Sequence, residues 1–270
     1  MARASRSFDR AAPFYDETRV LPRSAAAAVT ALLAGELSGR GPCLEIGVGT
    51  GRIALPLAAE GVPMVGVDLS RPMMTVLVDK AGGRPPFPLL QADAVALPFP
   101  DDRFAAAVAS HVFHLIPAWR DALTELARVL RRRGVILSSR GGGSGGGGRF
   151  GRGEGAQVIR AVRARLREEA GPAAGHPGVE HGRDDVEAAL RDLGCAEREL
   201  PGVALHRTMT VGALVDGLES GHWSWTWSVP EEVLHAAAER TRVWARDAFG
   251  PLDTRLDVET EVRWRAFDLP

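Results

Sequence analysis

The sequence has few of the residues that mark several classes of protein. Of its 270 residues only two are cysteines, Cys43 and Cys195, and they lie far apart without a CxxC or Cys/His spacing. A disulfide scaffold and a zinc site are therefore not indicated. No segment approaches the ~18 consecutive apolar residues of a membrane span, and no apolar stretch follows the basic N-terminus as it would in a signal peptide. We expect a cytoplasmic protein with no membrane span.

The chain also lacks an excess of charge of one sign. It has 33 lysines and arginines against 34 aspartates and glutamates, a formal net charge of −1. This balance provides no general field that would attract nucleic acid, which we do not expect as a partner. Lys80 is the only lysine, and the sequence assigns it no function. The following histidines form no metal-like cluster, so no metal is expected: His176, His181, His206, His222 and His235.

Short apolar runs alternate with helical segments from residue 41 onward. The 45% hydrophobic and 25% charged content fits a globular protein, and strands separated by helices predict a doubly wound, mostly parallel α/β sheet. The strands are continuously apolar, as expected where helices cover both faces. The predicted strands are 43–47, 63–68, 87–91, 104–110 and 134–139, and the predicted helices are 51–60, 71–80 and 118–131.

The segments on either side complete the predicted organisation. A helix over 24–38, started by Ser24, belongs to a cap of residues 1–40 before the core of 41–140. GGGSGGGG at 141–148 predicts a flexible linker; it resembles laboratory linkers, and a natural glycine-rich loop is the alternative. Residues 151–270 then predict helices 154–169, 183–193, 210–219 and 230–249, strands 195–206 and 256–267, and a substrate cover at about 207–250.

A glycine-rich turn follows the first predicted strand, in CLEIGVGTG at 43–51. Gly47, Gly49 and Gly51 would let the backbone approach a ligand, and a helix starting at residue 51 would offer free N–H groups. A dinucleotide fingerprint would read G-x-G-x-x-G, but Arg52 occupies the last position. Such turns also serve close packing in many α/β proteins, so the turn alone does not identify a ligand.

The next predicted strand ends in an acidic residue, MVGVD at 64–68. Ligands of doubly wound sheets bind at the carboxyl ends of strands, and the Asp68 carboxylate could accept two ribose hydroxyls there. Alternatively, Asp68 caps the helix that begins near Arg71, although Ser70 could do this equally well.

Four motifs in this order resemble class I S-adenosylmethionine-dependent methyltransferases, in a small-molecule group similar to the ubiquinone-biosynthesis enzymes. They are CLEIGVGTGRIALPLA, VGVDLSRPMM, QADAVALPFPDDRFAAAVASHVFHLI and ALTELARVLRRRGVILSS, within residues 40–140. The resemblance implies a seven-stranded sheet whose last strand, 256–267, is antiparallel. Arg131–Gly134 depart from the Arg-Pro-Gly-Gly turn of the family, which loosens the assignment of that turn.

The resemblance also implies where each part of S-adenosylmethionine binds. Glu45 would face the amino group, Asp68 the ribose, and Ser110 the sulfonium side. Tyr15 lies in a segment, FDRAAPFYDETR, that is similar to one that folds over the cofactor, although a structural tyrosine is the alternative. The other implied contacts are Gly47, Gly49, Thr50 and Gly51 with the methionine part, Leu69 and Met73 beside the adenine, and Asp93 with the Ala94 backbone at its amine.

Methyl transfer from a sulfonium needs alignment and desolvation of the nucleophile more than a catalytic group. His111 could act as a general base, whereas we expect His114 to be structural. The Asn/Asp-Pro-Pro-Tyr/Phe motif of enzymes that methylate DNA bases or protein glutamine is absent. Trp223, Trp225 and Trp227 would share one face of an extended segment and line an apolar or aromatic acceptor pocket, unless they only pack the cover.

The sequence therefore predicts a methyltransferase that acts on a small molecule and produces S-adenosylhomocysteine. One alternative is an NAD-dependent oxidoreductase on a similar sheet, which would need the complete glycine fingerprint. The other is a non-catalytic cofactor-binding protein that lacks an acceptor pocket.

Overall fold

The computed structural model describes residues 8–19, 21–140, 153–174, 183–221, 226–227 and 229–270. The chain divides into two compact units. The first comprises Met1–Gly141, Val179–Val203 and Val262–Pro270, and the second comprises Gly142–Gly178 and Ala204–Glu261.

The first unit contains a sheet with helices on both faces. Its helices are α1 (Tyr15–Arg19), α2 (Arg23–Leu37), α3 (Ala54–Ala59), α4 (Arg71–Lys80), α5 (Trp119–Val129) and α7 (Arg183–Asp192). Its strands are β1 (Cys43–Ile46), β2 (Met64–Asp68), β3 (Leu89–Gln91), β4 (Phe104–Ala109), β5 (Leu130–Arg140), β6 (Ala196–Glu199) and the end of β8 (Arg255–Asp268). Two short 3-10 helices, Asp9–Ala11 and Phe113–Leu115, complete it.

The strand order confirms the predicted doubly wound sheet with an antiparallel last strand. Seven strands follow one another in the order β3-β2-β1-β4-β5-β8-β6. Strands β1 to β5 are parallel, and β8 runs antiparallel to both β5 and β6. The first part of β8 belongs to the second unit, where β7 (Val203–Thr210) pairs with β8 as an eighth strand.

The sheet of the first unit buries two hydrophobic layers, one on each face. On one face, α2, α3 and α4 pack on the strands through side chains that include Leu33, Leu57 and Leu77. On the other face α5 and α7 do so, through side chains that include Leu126 and Leu190. All five leucines are fully buried. The continuously apolar strands of the sequence thus reflect burial on both faces.

Some predicted boundaries were wrong for reasons that lie in the backbone. The helix predicted from residue 51 begins at Ala54, because Gly51 has a φ of +76°, outside the helical region. Ser24 lies inside α2, whose N-cap is Pro22. The helix predicted to end at 131 ends at Val129, because β5 already begins at Leu130.

The strand predicted over 195–206 is two strands, β6 and β7. Pro201 and Gly202 separate them, and proline provides no N–H for a strand ladder. Leu200, which directly follows β6, donates its N–H to the Trp264 carbonyl of β8 at 3.0 Å. β3 is likewise shorter than predicted, beginning only after Pro88.

The second unit is mainly helical and has its own core. It contains α6 (Glu154–Ala170), a 3-10 helix (Gly171–Ala174), α8 (Val211–Glu219), α9 (Glu231–Phe249), β7 and the first part of β8. Its buried side chains include Leu166, Val215 and Ala238. The helices predicted over 154–169, 210–219 and 230–249 are confirmed within a residue or two.

Two predicted features of the remaining chain fall on residues that the structure does not describe. The glycine tract 141–148 and the side chains of Trp223 and Trp225 lie outside the described residues. Trp227 is described, and its indole N–H donates to the Gly221 carbonyl at 2.7 Å. Among the helices of the described ranges, none combines the length and apolar character needed to cross a membrane.

Leu126→Ala is expected to lower the free energy of unfolding by about 2–5 kcal/mol, because it leaves a cavity in a fully buried layer. Leu193→Ala is the matched control, since this leucine is 44% exposed and its loss should cost less than ~0.5 kcal/mol. Urea unfolding of both variants measures the contrast. Equal losses would contradict the assignment of the α5 face as core.

Candidate functional site

The carboxyl ends of four neighbouring strands meet at one edge of the first unit's sheet. Ile46 at the end of β1 lies opposite Val67 of β2 and Ala109 of β4, and Asp68 lies opposite Gln91 of β3. Because these strands are parallel, the residues that end or follow them share this edge. The predicted residues placed there are Gly47, Gly49, Asp68, Asp93 and Ser110. We call residues 47–51 and 68–70 the cradle.

Two of the three glycines in the turn are required by close packing. Gly47, Gly49 and Gly51 all have φ between +53° and +76°, a range that residues with a side chain rarely adopt. A Cβ at Gly47 would lie 2.7 Å from the Val112 side chain. A Cβ at Gly51 would lie 2.7 Å from both Leu55 and Leu77. The packing interpretation of the turn therefore applies to Gly47 and Gly51.

Gly49 differs, because it faces the polar part of the cradle. A Cβ there would lie 3.3 Å from the Met73 methyl carbon and 4.0 Å from Asp68 Oδ2. The Gly49 N–H donates to that same Asp68 oxygen at 2.7 Å. Gly49, Asp68 and Met73, three of the predicted contacts, thus lie together.

Asp68 fastens the turn and does not cap α4. Its Oδ1 accepts from the Ser70 N–H at 2.7 Å, and its Oδ2 accepts from Gly49. Ser70 caps α4, since its hydroxyl accepts from the Met73 N–H at 3.3 Å. Burial raises the pKa of Asp68, although the amide donors of Ser70 and Gly49 oppose the rise. A carboxylate has about four lone pairs, so both Asp68 oxygens can still accept a ligand hydroxyl.

Glu45 is a buried carboxyl with an unused acceptor. It lies on β1, only 2% exposed, and its Oε2 has no hydrogen-bond partner among the described residues. Burial raises its pKa well above the ordinary value, and the nearby Arg52 opposes this rise. Leaving such an oxygen unpaired costs stability, which suits an atom reserved for a cationic or N–H donor of a ligand.

The remaining predicted cofactor contacts lie on the loops after β2, β3 and β4. Met73 and Ala94 are buried, and Leu69 is half-buried with its carbonyl accepting from the Gln91 side chain at 3.1 Å. Asp93 Oδ1 accepts from the Val95 N–H at 3.3 Å. The Ser110 hydroxyl lies 3.2 Å from that of Ser139 on β5.

Two residues of α5 hold the loop that begins at Asp93. Arg128 donates to the Phe99 and Leu97 carbonyls at 2.8 and 3.1 Å. Glu125 accepts from the Leu97 N–H at 2.7 Å and pairs with Arg128. These bonds fix the loop from its far end, so α5 helps to position Asp93 and Ala94.

The two histidines after β4 differ in backbone conformation. His111 is half-buried with a φ of +53°, an uncommon left-handed conformation. His114 is exposed and lies in the 3-10 helix Phe113–Leu115. His111 therefore lies outside the short helical turn that contains His114.

The N-terminal segment, residues 8–19, reaches the cradle through two carboxylates that the sequence did not single out. The Ser70 hydroxyl donates to Asp9 Oδ1 at 2.5 Å, and the Thr50 hydroxyl donates to Asp16 Oδ1 at 2.6 Å. Tyr15 packs edge-on against Phe8, with ring centroids 6.1 Å apart. No spacing in the sequence links residues this far apart, so only the fold reveals these contacts.

Metal-binding side chains are not clustered in the part of the chain that the structure describes. No group of three or more His, Cys, Asp and Glu residues there could hold a metal ion. The site is instead made of glycines, the buried carboxyl of Glu45, the half-buried carboxyl of Asp68, and hydroxyls.

Comparison with known proteins identifies relatives for the core of the first unit. Residues 44–138 match the family Methyltransf_11, described as a methyltransferase domain. Phosphatidylethanolamine N-methyltransferase from Cereibacter sphaeroides is 37% identical over 100 residues, which are 36% of this chain and 49% of that protein. Demethylmenaquinone methyltransferase from Thermus thermophilus is 41% identical over 90 residues, 32% and 41% of the two chains. The chain spans about half the length of these curated relatives, or less.

Solved structures extend the likeness beyond this core, at the level of the fold. The [4+2]-cyclase SpnF superposes with a TM-score of 0.55 at 16% identity, over 96% of this chain and 93% of that one. A fold shared at this identity is compatible with different reactions.

Glu45→Gln is expected to stabilise the chain in the absence of ligand, by a margin that grows with pH. Because burial raises the pKa of Glu45, the folded wild type keeps a proton that the unfolded chain has lost. Wild-type stability therefore falls as pH rises from the ordinary glutamate pKa through the folded one, at up to ~1.4 kcal/mol per pH unit. Glutamine does not titrate.

Urea unfolding of both proteins at about pH 5 and about pH 8 measures this difference. Asp68 is present in both proteins and itself helps to raise the pKa of Glu45, so the pH-dependent difference reports the titration of Glu45 together with its coupling to Asp68. A stability difference that is the same at both pH values would contradict a perturbed Glu45.

Proposed function

We propose that this chain transfers a methyl group to a small-molecule acceptor. The premise is that residues 44–138 belong to the class I S-adenosylmethionine-dependent methyltransferases. One observation carries the proposal. Glu45 Oε2 is buried and has no hydrogen-bond partner among the described residues, and in the same unit the glycine turn is hydrogen-bonded to Asp68. S-adenosylmethionine has an amino group and a ribose diol, which match an unpaired carboxyl oxygen and a carboxylate with free lone pairs.

The residues at the sheet edge fit the parts of this cofactor. Glu45 would hold the amino group, with Gly47, Gly49, Thr50 and Gly51 forming the turn beside the methionine part. Asp68 would accept the ribose hydroxyls. Leu69 and Met73 would flank the adenine, and Asp93 with the Ala94 N–H would recognise its amine and ring. Ser110 and Tyr15 would border the sulfonium and the entrance.

Bound S-adenosylmethionine supplies a methyl group that its sulfonium already makes electrophilic. The chain then has to align the acceptor and exclude water, and it needs no metal for this. Where the acceptor must lose a proton, His111 is the candidate general base, because it directly follows Ser110 at the end of β4. Its left-handed backbone is the kind of local strain that clusters at functional sites.

A small molecule is the acceptor class that the relatives support. Their names include a phosphatidylethanolamine N-methyltransferase and a demethylmenaquinone methyltransferase, and the first of these names a nitrogen as the atom that receives the methyl group. The sequence carries no Asn/Asp-Pro-Pro-Tyr/Phe motif after Ser110, which disfavours DNA bases and protein glutamine.

The sequence does not favour the oxidoreductase alternative. Counted from Gly47 and Gly49, the position of the third fingerprint glycine is occupied by Arg52. A non-methylating role on the same fold is the more serious rival, because SpnF is a cyclase.

Calorimetry with S-adenosylmethionine and with NAD tests the cofactor. We expect binding of S-adenosylmethionine and none of NAD. Asp68→Asn should weaken binding about 10- to 100-fold through the loss of charge-assisted hydrogen bonds. Asp79→Asn, the same change at an exposed position on α4, is the matched control and should bind like wild type. NAD binding without S-adenosylmethionine binding would overturn the proposal.

A screen of small-molecule amines, phenols and quinols for release of S-adenosylhomocysteine tests the reaction. Release with any of them, lost in Asp68→Asn, supports methyl transfer. Tight cofactor binding with no release across the screen would favour a non-catalytic or non-methylating role.

A further inference from the structure

Lys80 is the only lysine of the chain and lies at the end of α4. Its ammonium donates to Asp16 Oδ2 and to the Thr50 carbonyl, both at 2.8 Å. The Thr50 hydroxyl in turn donates to the other Asp16 oxygen at 2.6 Å. Lys80, Asp16 and Thr50 are therefore joined by three hydrogen bonds, one between each pair of residues.

These bonds join three parts of the chain that are distant in sequence. Asp16 belongs to the N-terminal segment, Thr50 to the glycine turn, and Lys80 to the helix that Ser70 caps. The bond from Ser70 to Asp9 fixes the same segment to the other half of the cradle. The segment is thus hydrogen-bonded to both parts of the cradle, at Thr50 in the glycine turn and at Ser70 before α4.

The ion pair is placed where it can open and close. Thr50 is 1% exposed, but the Lys80 and Asp16 side chains are 37% and 34% exposed. A pair open to water contributes only modestly to stability. Lys80 and Asp16 can therefore separate at a small cost in stability.

We infer that Lys80 is a positioning residue, which fastens the N-terminal segment over the cradle through Asp16 and so slows dissociation of the methyl donor and its product. The inference rests on the proposed function for the identity of the ligand. A lysine suits this role because its compact ammonium can donate to two acceptors in different directions.

Dissociation of S-adenosylhomocysteine, followed by stopped-flow displacement, tests the inference. Lys80→Met should release the ligand about two- to fivefold faster, the range expected from an exposed ion pair. Asp16→Asn should do the same, because asparagine can still accept the Thr50 hydroxyl but carries no charge. The double variant should be no faster than Lys80→Met alone, since the ion pair that Asp16→Asn breaks is already absent in Lys80→Met.

Two controls separate positioning from general destabilisation. Arg191→Met breaks a partly exposed ion pair of the same unit, with Glu197 at 2.6 Å, and should leave the release rate unchanged. Lys80→Arg keeps the charge and should release more slowly than Lys80→Met. The inference would be overturned if Lys80→Met released S-adenosylhomocysteine at the wild-type rate, or if the effects of the two single variants on that rate were fully additive in the double variant.

Amine labelling provides a readout that needs no ligand. Because Lys80 is the only lysine, an acylating reagent followed by peptide mapping reports on this one side chain, apart from the N-terminal amine. Asp16→Asn should label faster than wild type, and S-adenosylhomocysteine should slow labelling in wild type only. Asp79→Asn, which removes the carboxylate next to Lys80 in the chain, controls for a general change in charge.

The outcomes distinguish the two proposals. A wild type that binds no S-adenosylmethionine contradicts the proposed function, whatever the labelling shows. If the wild type binds S-adenosylmethionine but Lys80 is labelled at the same rate in the wild type and in Asp16→Asn, only the role of Lys80 is contradicted.

Discussion

The hydrogen bonds of the Asp68 carboxylate are the interaction on which the rest of the site depends. One oxygen accepts from Gly49 and the other from Ser70, each at 2.7 Å. The same group thereby fixes the glycine turn after β1 and the start of α4, which then carries Met73 and Lys80. Burial raises the pKa of this half-buried carboxyl, and the two amide donors oppose the rise because they favour its charged form.

Much of this arrangement could be predicted from the sequence because it depends on local signals. Apolar strands followed directly by Gly47, Asp68 and Ser110 determine which residues reach the carboxyl edge, and parallel pairing brings those edges together. Ser70, one of the two caps that the sequence offered, is the N-cap of α4, which begins at Arg71. The family resemblance added the assignment of each residue to a part of the cofactor.

The rest could not be predicted, because it depends on contacts between distant residues or on single dihedral angles. The sequence does not show that Gly51 delays α3 to Ala54, or that Gly51 serves packing while Gly49 faces Asp68. Nor does it show that Asp9 and Asp16 bond to the cradle, or that Lys80 has a partner 64 residues away. The single lysine was visible in the sequence, but its meaning required the fold.

A crystal structure with S-adenosylhomocysteine tests the central claim most directly, because Glu45 Oε2 is an acceptor without a partner in the described part of the chain. The account predicts the ligand's amino group within hydrogen-bonding distance of that oxygen and its ribose hydroxyls on Asp68. A ligand bound elsewhere, or bound here with Glu45 Oε2 still unpaired, would contradict it.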